Sequence, residues 1–294
     1  IQQYEVQNVE VIAKENTDNE LFRLQYIYEF GNNADPKFGL ALSGYMDYIG
    51  ADSLSATALK QEYYKLGADF SVGLSSEQDR MYITLTGLSD TMEASLALFE
   101  RMLQNPVGTQ EAYDKLAARM IKSRTEAKKN KRQILFTGLQ NYVKYGADNP
   151  ATHLVNNALL TTIKSDEMTK IIQSINHYPH RIAYYGNKPE SEVKDLLSTY
   201  HKVPDSFKEI PPTKTFEELD YETPGVFWSH YDMVQTEIVL LSKGALLDNA
   251  KTAAIRLYNE YFGGGMNSIV FQEIREAQGL AYSVFSQYGP RRIK

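Results

Sequence analysis

Residues 262–292 read FGGGMNSIVFQEIREAQGLAYSVFSQYGPRR. The three glycines Gly263, Gly264 and Gly265 follow residues 249–262, whose apolar positions recur at helical spacing, so they read as a helix stop and a tight turn into a second helix. That helix carries Arg275 and Glu276 to a further stop at Gly279. The glycine triplet is not a phosphate loop. It lacks the Lys-Ser/Thr ending and follows a helix where such a loop follows a strand.

Working outward, residues 236–241 are strand-like and run to Gly244, so the unit is strand, loop, helix, glycine. The same unit opens the chain: residues 21–30 are strand-like up to Gly31, and residues 38–49 are helix-like up to Gly50. Gly31 and Gly244, Asp35 and Asp248, Tyr48 and Tyr261, and Gly50 and Gly263 are all 213 positions apart. Farther on, Gly67-Ala68-Asp69-Phe70-Ser71-Val72 stands 212 before Gly279-Leu280-Ala281-Tyr282-Ser283-Val284. A constant offset of this kind marks an internal duplication. The expected organisation is a first domain over 1–205, a linker over 206–216 within the stretch holding Pro211-Pro212, and the start of a second, homologous domain over 217–294. The second copy matches only the opening of the first, so on the order of 120 residues of its pattern are missing.

Within the first copy, residues 80–87 and 181–185 alternate like strands, and residues 91–104, 110–129 and 190–200 read as amphipathic helices. Strands separated by runs of helix, without regular strand-helix-strand alternation, predict an α+β fold, a mostly antiparallel sheet with helices packed on one face. Hydrophobic residues make up 43% and charged residues 23% of the 294, a composition able to bury a core and unlike that of a disordered chain. No apolar run approaches a membrane span. The 31 basic against 37 acidic residues, net −6, argue against a nucleic-acid surface. Cysteine is absent, which removes disulfides, thiol nucleophiles and thiolate metal ligands. The basic run Lys122, Arg124, Lys128, Lys129, Lys131 and Arg132 reads as a solvated helix end.

A zinc hydrolase needs two imidazoles and carboxylates at helical spacing, in the His-Glu-x-x-His order or its inverse. Neither order occurs. Of His153, His177, His180, His201 and His230, only His177 and His180 are close, and flanking Pro179 they read as a surface turn. An independent zinc enzyme built from these scattered histidines is set aside, because their spacing offers no helix face.

The pattern glycine turn, helix, Arg-Glu-x-x-Gly-Leu-x-Tyr-Ser over 262–292 resembles the insulinase-like, or pitrilysin-type, zinc metallopeptidases, as do Gly39-Leu40-Ala41 and Leu66-Gly67-Ala68 with Phe70 in the first copy. The resemblance implies a clamshell of two halves, each built from two related α+β domains, with the inverted zinc motif directly after Gly-Leu-Ala in the active half. Here those positions are Leu42, Tyr45 and Met46, and Glu126, in the helix where a third ligand would lie, stands alone. The resemblance therefore implies the zinc-less C-terminal half: no metal in this chain, zinc in an N-terminal partner half of the same precursor or a separate subunit, a peptide substrate, and no activity of this chain alone. It implies that Arg275 at the helix end and Tyr282 on a following strand, here 280–284, reach the metal site of the assembled enzyme and that Arg291 and Arg292 border the substrate chamber. A local ion pair of Arg275 with Glu276 or Glu273 is the plainer alternative. A scaffold or processing-complex subunit without proteolytic role is the alternative for the whole chain. By analogy with exported bacterial relatives, the address implied is periplasmic.

Overall fold

The structure is a computed structural model and describes residues 1–75 and 79–289. The chain divides into two compact units, one through Asp232 and one from Met233 onward.

In the first unit the strands are β1 Gln2–Val6, β2 Val9–Glu15, β3 Leu21–Tyr28, β4 Gly50–Ala51, β5 Asp69–Leu74, β6 Met81–Leu88, β7 Pro106–Val107 and β8 His180–Gly186. The helices are α1 Pro36–Gly39, which continues as π-helical Leu40–Tyr45 and the tight turn Met46–Tyr48, then α2 Ala56–Leu66, α3 Met92–Gln104, α4 Gln110–Ala127, α5 Gln140–Tyr145, α6 Asn157–Leu160, α7 Ser165–Gln173 and α8 Glu190–Tyr200. Six strands form one sheet in the order β1-β2-β8-β3-β6-β5, and β4 pairs with β7. Only β2 and β8 run parallel in the large sheet; its other pairs are antiparallel. This is the α+β architecture expected.

Period-two alternation sets the register. On β3, Phe22, Leu24, Tyr26 and Tyr28 are buried, whereas Arg23 is exposed and Gln25 and Ile27 are half-buried. Met81, Ile83 and Leu85 on β6 and His180, Ile182 and Tyr184 on β8 continue the same covered face. Leu96, Phe99, Met102 and Leu103 of α3, Met168 and Ile172 of α7, and Val193 and Leu197 of α8 join them in one core. Each such side chain contributes about 1.5–3 kcal/mol by leaving water, so this face holds the unit together. Thr109 accepts from the Ala112 amide at 3.2 Å and fixes the start of α4. Arg124 departs from the solvated reading: its Nη1 donates to the Val155 carbonyl at 2.8 Å and to Asn157 Oδ1 at 2.7 Å, tying α4 to the start of α6. The proline-rich stretch lies against this unit, the Lys214 amide donating to the Asn33 carbonyl at 2.8 Å and the Leu219 amide to that of Lys144 at 2.7 Å.

The second unit holds α9, Thr252–Phe262, entered by the tight turn Asn249–Lys251, and the π-helical Phe271–Ala277. The strands expected over 236–241 and 280–284 do not form. Ile238 and Leu240 are exposed there, and no ladder is formed among the described residues of this unit. A strand persists only with paired neighbours. In the first unit β3 sits between β8 and β6; its equivalent has nothing comparable beside it. The local features of the duplication do recur. Asp35 accepts from the Lys37 amide and Asp248 from the Ala250 amide, each capping a helix start. Gly67 and Gly279 end their helices in the left-handed region, at φ 60° and 61°.

Candidate functional site

The position where the resemblance places a zinc motif lies on the continuous helical segment 36–48. Pro36 starts it with its fixed φ and missing amide hydrogen, and Asp35 caps it. Leu42, Tyr45 and Met46 all point into the core and are essentially inaccessible. The Tyr45 hydroxyl donates to the Thr109 carbonyl at 2.9 Å, and its ring meets Tyr113 edge-on with centroids 5.6 Å apart. Burial pushes the Tyr45 phenol above its ordinary value and that of Tyr113 up to about 12, so both stay neutral. A methyl group at Gly108 would come within 2.5 Å of the Tyr45 oxygen, so the backbone of the loop before α4 is moulded to this tyrosine. Glu126 is exposed near the end of α4, 3.0 Å from Lys129 Nζ, as an ordinary helix-surface pair. These residues do not fit a zinc ion: the ligand positions carry a hydrocarbon, a phenol already hydrogen-bonded and a thioether. Among the described residues, no group of three histidine, aspartate or glutamate side chains could hold a metal.

In the second unit Arg275 and Tyr282 are brought together. The Arg275 guanidinium lies 5.0 Å from the centroid of the Tyr282 ring and 4.7 Å from that of Phe271, between two aromatic faces. Its Nε is 3.6 Å from Glu276 Oε1, the local pair considered above, at a distance too long for a good hydrogen bond. Tyr282 is 82% exposed and stands in irregular backbone after Gly279. The helix stop at Gly279 folds the chain back, so a phenol seven residues on reaches the arginine it follows. Two donors, a guanidinium and a phenol, thus share one exposed spot. Arg291 and Arg292 lie outside the described residues.

The sequence reading missed a buried polar cluster. His180 is not in a surface turn: it is the first residue of β8, on the covered face, and is buried. Its Nε2 is 2.9 Å from His201 Nε2, and His201 Nδ1 is 2.7 Å from Glu100 Oε1. The Tyr26 hydroxyl donates to Glu100 Oε1, and Asn176 Nδ2 donates to Glu100 Oε2 at 3.1 Å while accepting from Tyr28 at 2.9 Å. The signal for His180 was present: it is in phase with Ile182 and Tyr184 in the alternation of that strand. Nothing in the sequence pairs it with Glu100 or His201, which lie 80 and 21 residues away.

Residues 181–292 match the family described as the Peptidase M16 inactive domain. An uncharacterized zinc protease of Rickettsia bellii is 24% identical over 253 residues, covering 84% of this chain and 58% of that protein. One of Streptomyces coelicolor is 42% identical over 52 residues, 18% of this chain and 11% of that protein. The chain thus spans a little over half the length of the Rickettsia relative. Among solved structures, a peptidase M16 inactive domain from Pseudomonas fluorescens superposes with a TM-score of 0.72 at 19% identity, over 99% of this chain and 71% of that one. A protease from Helicobacter pylori gives 0.69 at 12% identity, over 99% and 72%. The family match runs from β8 through the Arg-Glu-x-x-Gly-Leu-x-Tyr-Ser stretch, and over that part the chain is similar to the inactive domain of the M16 peptidases.

Proposed function

We propose that this chain is the non-catalytic half of a zinc metalloendopeptidase, which encloses unfolded peptide and lends hydrogen bonds to a reaction whose zinc is held by a partner half. We take its two related domains as 1–205 and 217–294, joined by 206–216. The observation that carries this reading is the contrast between two sites. At Leu42, Tyr45 and Met46 the ligand positions have become core, whereas Arg275 and Tyr282 are stacked and accessible. Tyr282 is largely exposed, while the Arg275 side chain stacked beside it is about as accessible as that of Arg181 on β8.

A guanidinium and a phenol can both donate to a peptide carbonyl oxygen, and the bonds strengthen as that oxygen gains charge. Donors of this kind are worth about 3–4 kcal/mol to a transition state. Phe271 and Tyr282 hold the guanidinium over their rings, and Glu276 is too far from its Nε for a good hydrogen bond, so its N–H groups stay available to the substrate. Extended peptide is accommodated at β5, a sheet edge whose side away from β6 pairs with no described strand, by addition of a further strand.

Arg275→Ala and Tyr282→Phe test this in the assembled peptidase. Each is expected to lower kcat by a factor of ten to a thousand with KM little changed, as for groups that act mainly in the transition state. Unchanged kcat in both variants, or a mixture inert even with the unsubstituted chain, would leave the scaffold subunit as the reading.

A further inference from the structure

The Glu100–His201–His180 cluster ends on a carbonyl, and that fixes how many protons it holds. His180 Nδ1 lies 2.8 Å from the Tyr178 carbonyl oxygen, which can only accept, so Nδ1 carries a hydrogen. The 2.9 Å contact between the two Nε2 atoms needs one hydrogen, and the 2.7 Å contact between His201 Nδ1 and Glu100 needs another. Three links in series require three protons. An ionised glutamate and two neutral imidazoles supply two. The third is extra, whether drawn as an imidazolium beside a carboxylate or as a neutral acid beside two neutral rings. Either way the cluster has no net charge, which is how a carboxylate and two imidazoles can sit together out of water.

We propose that the Glu100–His201–His180 chain is a proton-holding latch: the extra proton fastens residues 201–208 to the sheet, and a further proton, bound in acid, unfastens them. His201 is the first residue past α8, Phe207 packs edge-on against His180 with centroids 6.0 Å apart, and the Lys208 amide donates to the His177 carbonyl at 2.8 Å. The segment is therefore held at its two ends by groups that meet at His180. From β3, Tyr26 and Tyr28 face the cluster; from α2, Tyr63; from α3, Glu100; from residues 175–177, Asn176. Asp69 and Arg101 act on Tyr63 from farther out, and Lys208 lies over the Tyr178 ring. Burial raises the phenols of Tyr26, Tyr28 and Tyr63, so all three stay neutral, and Tyr26 and Tyr28 donate into the cluster. Burial and the neighbouring His201 hold His180 down to about 3, so His180 itself stays neutral near pH 7. A proton added to His180 Nε2 would remove the acceptor of the central link and set two N–H groups against each other.

The test is nitrogen-15 NMR of the full chain with labelled histidine at pH 7.5, combined with proton release on unfolding at pH 8. A coupling across the hydrogen bond from His201 Nε2 to His180 Nε2 is expected, and it should vanish in strong acid together with the exchange protection of the Lys208 amide. The unsubstituted chain should release one proton more on unfolding than His180→Phe, in which the ring stacking is kept and the central link is gone. Two bare Nε2 atoms at pH 7.5, or equal proton release in the two proteins, would overturn the latch. The coupling is read in the unsubstituted chain, so it decides the matter even if His180→Phe does not fold.

Discussion

Leu42, Tyr45 and Met46 show why a metal site is hard to build where the resemblance places one. All three side chains belong to the core, and the backbone at Gly108 packs against Tyr45. Introducing the inverted motif with Leu42→His, Tyr45→Glu and Met46→His together is expected to destabilise the chain by several kcal/mol, as buried polar groups replace packed ones. Urea denaturation checks this, and stoichiometric zinc uptake with undiminished stability is the contrary outcome. Tyr45→Phe alone, which removes one of the two hydrogen bonds to the Thr109 carbonyl, should cost about 1 kcal/mol. His180 is lowered from an ordinary 6.5 to about 3, so its neutral form is what the folded state selects. The stability this contributes is fully present above pH 6.5 and is lost as the pH falls from there toward 3, because the unfolded chain binds the proton first. Melting temperature measured from pH 7 to 4 should fall in the unsubstituted chain and fall less in His180→Phe. Of these residues, the replaced ligands were legible from the sequence, since they follow directly on Gly39-Leu40-Ala41. The role of His180 was not, because proximity to Pro179 suggested a turn and its partners come from elsewhere in the fold.

The elements were legible where a local signal sufficed. Period two gave β3, β6 and β8, and the spacing of apolar positions with their caps gave α3, α4 and α8 within a few residues. Asp35, Asp248, Gly67 and Gly279 perform in the structure the tasks their types announce. Gly67→Ala should cost about 1 kcal/mol or somewhat more, since φ is 60° there and the new methyl would lie 3.1 Å from Leu88 Cδ1. Asp35→Ala, which removes the acceptor for the Lys37 amide, should cost a similar amount. Both are read by urea denaturation, and a neutral effect of either would mean that the helix ends are set by packing and not by their caps. Residues 236–241 were misread because alternation reports a preference for extended backbone, whereas a strand also needs a neighbour. Their apolar side chains are intact in the sequence, but the ladder that makes use of them in the first unit has no counterpart among the described residues of the second.

For the whole molecule, the duplication was the strongest signal in the sequence. Four pairs of residues at one spacing pointed to a second unit, while Arg275 and Tyr282 were singled out by the family resemblance of residues 262–292. What could not be read was the meeting of Arg275 with Phe271 and Tyr282, which depends on how the chain folds back after Gly279. The first unit has one core around β3 that takes in Leu42, Tyr45 and Met46, and in the second unit Arg275 stacks on an exposed Tyr282. The most direct check is to measure zinc content and peptide cleavage of this chain alone and after mixing with a half that bears the inverted zinc motif. A chain that is zinc-free and inert by itself, in a mixture that cleaves unfolded peptide, is the expected result. Stoichiometric zinc and cleavage by the chain alone would contradict it.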